Sequence, residues 1–127
     1  MMKILVVDDD QESRSLLCEV LEANGYVADA VADGVAAREA LGRDGQYGIV
    51  IADLQMPNES GLELLRKLRH QKTKHEIILI SSFISGPERK VALGLGAHAL
   101  LEKPLRLSEL LEKVAELTAR NPIGITS

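Results

Sequence analysis

Four places in this chain carry side chains that could do chemistry together: the acidic run Asp8-Asp9-Asp10, Asp53, Ser81 and Lys103. Each stands at the end of a short apolar run. Ile4-Leu5-Val6-Val7 leads into the acids, Ile49-Val50-Ile51-Ala52 into Asp53, Ile77-Ile78-Leu79-Ile80 into Ser81, and His98 to Leu101 into Glu102-Lys103-Pro104. Runs of that length, rich in β-branched residues, read as strands buried on both faces. After Asp53 a central strand cannot continue, because Pro57 has no N–H and biases Met56 away from helix. Asp53 therefore sits at a strand-to-loop junction, the edge at which open parallel α/β sheets bind ligands. On its own stretch it serves equally well as a turn or cap residue.

Company changes that reading. If the strands before Asp8 and Asp53 are neighbours, their backbones lie about 4.8 Å apart and the carboxylates converge. Two such charges roughly 4 Å apart repel by about 4 kcal/mol at an effective dielectric near 20, so the group calls for a cation. Oxygen ligands with no His or Cys beside them select magnesium, manganese or calcium over zinc, and magnesium is content with few carboxylates. A metal beside an acid, a lysine ending another strand and a serine ending a third make a phosphoryl site. Lys103 and the metal would balance charge on the phosphoryl oxygens while the Asp53 carboxylate attacks in line. Each part has a plainer role when taken singly: Asp10 as a helix N-cap, Lys103 as a surface partner of Glu102, Ser81 as an edge hydroxyl. Their joint placement favours the site.

Positioning these groups falls to alternating strands and helices. From Gln11, Leu16, Leu17, Val20 and Leu21 recur at helical spacing and Asn24-Gly25 supplies a stop. Tyr26 to Val31 is a shorter extended piece, and after Ala32-Asp33-Gly34 a weak helix carries Ala37, Ala40 and Leu41 before Gly42 to Gly45 break it. Ser60-Gly61-Leu62-Glu63 and Ser85-Gly86-Pro87-Glu88 are capping boxes opening two more helices, with Gly94 and Gly96 closing the second. Leu107, Leu110, Leu111, Val114 and Leu117 form a last amphipathic stripe. Five strands alternating with five helices predict an α/β, doubly wound parallel sheet with right-handed crossovers, which puts Asp8, Asp9, Asp53, Ser81 and Lys103 on one edge.

Composition narrows the classes. A chain of 127 residues is one domain, able to bury about two-thirds of its unfolded surface. Its apolar share of 46% and charged share of 27% are those of a soluble globule. The longest apolar run falls far short of the roughly 20 residues of a membrane span. The start at Met1-Met2-Lys3 lacks the pattern of a signal peptide, so a cytoplasmic location is expected. A net charge of -4 argues against a nucleic-acid surface. Cys18 stands alone and reads as a boundary residue of a helix, and three aromatics, Tyr26, Tyr47 and Phe83, serve a flat cofactor poorly.

Taken in order, Val6-Val7-Asp8-Asp9, Asp53-Leu54-Gln55-Met56-Pro57 with Gly61, Ser81 and Lys103-Pro104 closely resemble the response-regulator receiver domain of two-component signalling, over residues 3 to about 119. The resemblance implies a flavodoxin-like (βα)5 fold with strand order 2-1-3-4-5, a receiver domain at 1–120 and a tail or linker start at 121–127. It implies Asp53 as phosphoacceptor, Asp8 and Asp9 as magnesium-binding acids and Gln55 as donor of a backbone carbonyl to the metal. Ser81 corresponds to the switch hydroxyl and Lys103 to the lysine that pairs with the phosphoryl group. A sensor histidine kinase or phosphotransfer protein is the implied donor, an output domain or downstream protein the implied recipient, and a phosphorylation-dependent dimer a further expectation. The resemblance also implies that the chain is no enzyme and takes part only in its own phosphoryl transfer and dephosphorylation. Lys103-Pro104 is often a cis peptide in this family. Two positions depart from the family pattern: Leu100 replaces the usual Tyr, Phe or His, and Leu105 the common Phe.

Three rivals use the same residues differently. A haloacid-dehalogenase-like phosphatase would take Asp8 as nucleophile and Asp10 as acid/base, but it leaves Asp53 and its Met-Pro turn without a role. A receiver-like binding module that signals without phosphate is made unnecessary by the full set of acids plus lysine, though Leu100 keeps that reading open. Flavin binding would need N–H donors and hydroxyls where the first loop is acidic.

Overall fold

Buried strands and capped helices alternate strictly along the chain: β1 (Lys3–Val7), α1 (Gln11–Ala23), β2 (Val27–Val31), α2 (Gly34–Arg43), β3 (Tyr47–Asp53), α3 (Gly61–His70), β4 (Glu76–Ser81), α4 (Gly86–Gly94), β5 (Ala99–Glu102) and α5 (Leu107–Arg120). The computed structural model describes residues 2–120; the tail expected at 121–127 lies outside the described residues. All five strands are parallel, in the order β2-β1-β3-β4-β5. That is the order the resemblance implies.

Strand alternation splits the core into two layers, because successive side chains point to opposite faces. Leu5, Val7, Val50, Ala52 and Leu79 face α2, α3 and α4, where they meet Ala37, Leu41, Leu64, Leu65, Leu68 and Ala92. Ile4, Val6, Ile49, Ile51 and Ile78 face α1 and α5, against Leu17, Leu21, Leu110, Val114 and Leu117. The three central strands, β1, β3 and β4, are buried almost throughout, whereas the edge strand β2 keeps only Ala28 buried.

The helix starts are set by side chains that satisfy otherwise unpaired N–H groups. Asp10 accepts from the Ser13 N–H at 2.9 Å and Asp33 from the Ala36 N–H at 2.8 Å. The capping boxes at Ser60/Glu63 and Ser85/Glu88 are both closed. Gly25 follows α1 at φ 90°, a left-handed conformation that costs glycine least.

Local pattern misplaces a few positions. Leu16 fits the helical repeat of α1 but is 51% exposed, since the stripe that meets the sheet runs through Leu17 and Leu21. α2 continues through Gly42 to Arg43 rather than breaking at the glycine, and β5 begins at Ala99. Lys103-Pro104 is cis.

Candidate functional site

Parallel pairing of Val7 with Ala52 brings the first residues beyond β1 beside the last residue of β3. Asp8 and Asp53 are 4% and 5% exposed, and Asp9 lies open to solvent. One carboxylate oxygen from each of the three lies within 4.8 Å of the others. Lys103 arrives from the end of β5, where its N–H donates to the Ser81 carbonyl at 2.8 Å, and its Nζ donates to Asp53 Oδ2 at 2.7 Å. The Gln55 N–H donates to Asp53 Oδ1 at 2.9 Å, and the Asp10 N–H to Asp8 Oδ1 at 2.9 Å. The two buried carboxylates are thereby aimed, each with lone pairs to spare.

Charge in this cluster does not balance. Burial pushes the Asp8 carboxyl above its ordinary range, against the pull of the Asp10 N–H, and the Asp53 charge adds to the push. Its hydrogen bond to Asp53 holds the Lys103 ammonium above the usual lysine range, with further support from the charges of Asp53, Asp8 and Asp9. A carboxyl whose pKa is raised by folding contributes stability that is present at low pH and lost as pH rises. At neutral pH, then, Asp8 weakens the fold when no cation is bound. We expect Asp8→Asn, which keeps the acceptor for the Asp10 N–H, to raise Tm by about 3–5 °C in chelator. Thermal unfolding of both chains at pH 7 and again below pH 4 checks this, and the gain should vanish at the lower pH.

Ser81 reaches the expected edge, and its hydroxyl is bonded to the backbone of the loop after β4. It is fully buried, with Oγ donating to the Phe83 carbonyl at 2.6 Å and accepting from the Phe83 N–H at 3.0 Å. Gln55 joins the same loop: its Nε2 donates to the Phe83 carbonyl at 3.0 Å and its Oε1 accepts from the Ser82 N–H at 3.3 Å. Phe83, read from sequence only as a scarce aromatic, thus holds both loops through its backbone while the residue as a whole is 68% exposed.

Gly61 explains its own place in the pattern. A Cβ there would lie 2.6 Å from the Asp53 carbonyl oxygen, a backbone atom with no room to retreat. Gly61→Ala should therefore cost roughly 1–3 kcal/mol by overpacking and displace Asp53, which denaturant titration alongside phosphorylation assays would show. Asp10 takes the plainer of its two roles, with Oδ2 accepting from both the N–H and Oγ of Ser13. Leu100 and Leu105 are partly buried and pack against opposite core layers. Beside Asp8 and Lys103 a cleft of about 280 Å³ opens between α1 and the start of α5, lined by Leu16, Leu17, Leu105 and Leu107.

The family model for the response regulator receiver domain matches residues 4–115. The chain belongs to that family. This receiver domain is 39% identical over 119 residues to response regulator MprA of Mycobacterium leprae (strain TN), covering 94% of the present chain and 52% of MprA. It is 33% identical over 122 residues to transcriptional regulatory protein TcrA of Mycobacterium tuberculosis (strain ATCC 25618 / H37Rv), covering 96% and 48%. It spans about half the length of the curated relatives it matches. Among solved structures, a response regulator receiver protein from Pseudomonas putida superposes with a TM-score of 0.87 at 34% identity, over 91% of this chain and 96% of that one. The receiver domain of the Francisella response regulator 1452 gives 0.86 at 30% identity, over 95% and 99%. Neither the phosphatase nor the phosphate-independent reading gains support from these likenesses. Among the described residues no helix of this receiver domain is long and apolar enough to cross a membrane.

Proposed function

We propose that this receiver domain takes a phosphoryl group onto Asp53 from a phosphohistidine on a sensor histidine kinase or phosphotransfer protein. The observation that carries the reading is the Asp53 carboxylate itself: buried, aimed by Lys103 and the Gln55 N–H, and crowded by Asp8 and Asp9. The three carboxylates fit a hard divalent cation, with Asp8, Asp9, Asp53 and the Gln55 carbonyl as its protein ligands and magnesium as the natural choice. Bound there, magnesium supplies positive charge against the phosphoryl oxygens.

The remaining work falls to the chain's own residues. Asp53 Oδ attacks phosphorus in line, the O–P bond forms as the P–N bond breaks, and the departing imidazole keeps the bonding pair and takes a proton from solvent. Lys103, already 2.7 Å from Asp53, is placed to follow the new negative charge. Ser81 can reach the phosphoryl group only by giving up its two bonds to Phe83, which frees the loop after β4. Loss of those bonds gives a route from chemistry to shape that does not need an aromatic at Leu100. The chain would act on no separate substrate, and its phosphorylated form would control an output domain or downstream partner, with dimerisation as one route. We read residues 1–120 as the receiver unit and 121–127 as tail or linker, and a cytoplasmic location accords with the kinase partnership.

Incubation with acetyl phosphate tests this directly. An acid-labile phosphoryl mass should appear with magnesium and fail to appear in chelator; labelling indifferent to the metal contradicts the proposal.

A further inference from the structure

We propose that Glu59 is a positioning residue whose buried carboxylate, clamped by Arg38 and Lys67, holds the turn between β3 and α3 in the shape that presents Asp53 and the Gln55 carbonyl to a divalent cation. The inference rests on the magnesium reading above. Glu59 lies in a surface turn yet is only 4% exposed. Arg38 of α2 grips it with a fork, Nη2 to Oε1 at 2.9 Å and Nε to Oε2 at 3.2 Å, and Lys67 of α3 donates to Oε1 at 2.7 Å. Burial works to raise the carboxyl, but these two cations outweigh it and hold Glu59 below the usual carboxylate range, so it is charged at neutral pH.

The clamp anchors a loop that follows Asp53 directly and contains Gln55, one of the candidate metal ligands. Leu54 and Gly61 are tied by the Gly61 N–H to the Leu54 carbonyl at 3.1 Å, and Glu59 turns back on Pro57 through its N–H at 2.7 Å. Between them Asn58 is held at φ 68°, a left-handed conformation that asparagine tolerates. The side chain of Glu59 anchors this closed turn to both α2 and α3. Fit at the anchor is close, since a Cβ on Gly34 would lie 2.6 Å from Glu59 Oε2. The carboxylate is buried while its cations reach solvent, with Arg38 29% and Lys67 49% exposed, so the contacts add little stability, whereas a forked pair fixes direction. Direction is what a preorganised metal site requires, because supporting contacts outside the ligand set commonly change metal affinity about 10–100-fold.

Two variants separate positioning from mere stability. Glu59→Gln keeps the shape and removes the charge; Gly34→Ala keeps every charge and drives a methyl group against the carboxylate. Magnesium affinity is measured by calorimetry at 25 °C on chains shown by circular dichroism to be folded. We expect both variants to bind magnesium about tenfold more weakly than the unaltered chain. Unchanged affinity in either variant, whatever its Tm, overturns the proposal, and if Glu59→Gln does not fold, Gly34→Ala decides alone. Absence of magnesium binding by the unaltered chain overturns the metal reading itself, and this proposal with it.

Discussion

We expect Asp53→Asn to yield a folded chain that gains no acid-labile phosphoryl group from acetyl phosphate and magnesium, and Asp8→Asn still to gain one, more slowly. The two residues are close neighbours, both nearly buried, so burial and proximity alone do not distinguish them. Their partners do. Asp53 receives the ammonium of Lys103 and a backbone N–H, which aim the carboxylate while leaving lone pairs for attack. Asp8 has its oxygen held by the Asp10 N–H and its charge penalised by burial, which suits a group that waits for a cation. An amide at position 53 has no nucleophilic oxygen to offer, so the loss should be complete. At position 8 it removes one of the proposed metal-binding carboxylates and should raise the magnesium concentration needed for half-maximal labelling. Mass spectrometry of intact chains across a magnesium titration reads both effects.

Lys103→Met should slow phosphorylation by about 100-fold, the scale on which removing one preorganised donor acts. Stability should change little by comparison. The Lys103 side chain is 38% exposed, so solvent screens much of the pair's contribution to folding. Its raised pKa means that the stability it does contribute persists through neutral pH and fades only as alkaline pH deprotonates the amine. The transition state differs from the ground state because charge spreads over the phosphoryl oxygens, and the ammonium is already in place to meet it. Lys103→Arg is expected to rescue poorly, since a planar fork cannot occupy the place of a compact ammonium. Rapid-quench labelling and thermal unfolding of the same three chains separate the two effects.

Most of the site was legible in the sequence because strand ends are legible. A buried run of Ile and Val followed by a polar residue marks the edge of a parallel sheet, and order along the chain then assigns Asp8, Asp53, Ser81 and Lys103 to that edge. Helix starts were readable for a similar reason: Ser60 with Glu63 and Ser85 with Glu88 announce caps through short-range spacing. What sequence could not supply was side-chain direction. The Ser81 hydroxyl is bonded to the Phe83 backbone, an arrangement that no local spacing encodes. Glu59 escaped notice because a glutamate between Pro57-Asn58 and a capping serine reads as solvated loop, and its partners lie 21 and 8 positions away. Leu16 illustrates the opposite error, an apolar residue on the helical repeat that the rotation of α1 turns toward the cleft rather than the sheet.

Which side chain becomes esterified distinguishes a receiver from a phosphatase built on the same acids. Borohydride reduction of the freshly phosphorylated chain converts an aspartyl phosphate to homoserine, and peptide mass spectrometry then locates it. We predict homoserine at position 53 and nowhere else, formed only when magnesium was present during labelling. Homoserine at position 8, or a phosphoryl group that survives reduction on a histidine or serine, would contradict the receiver reading.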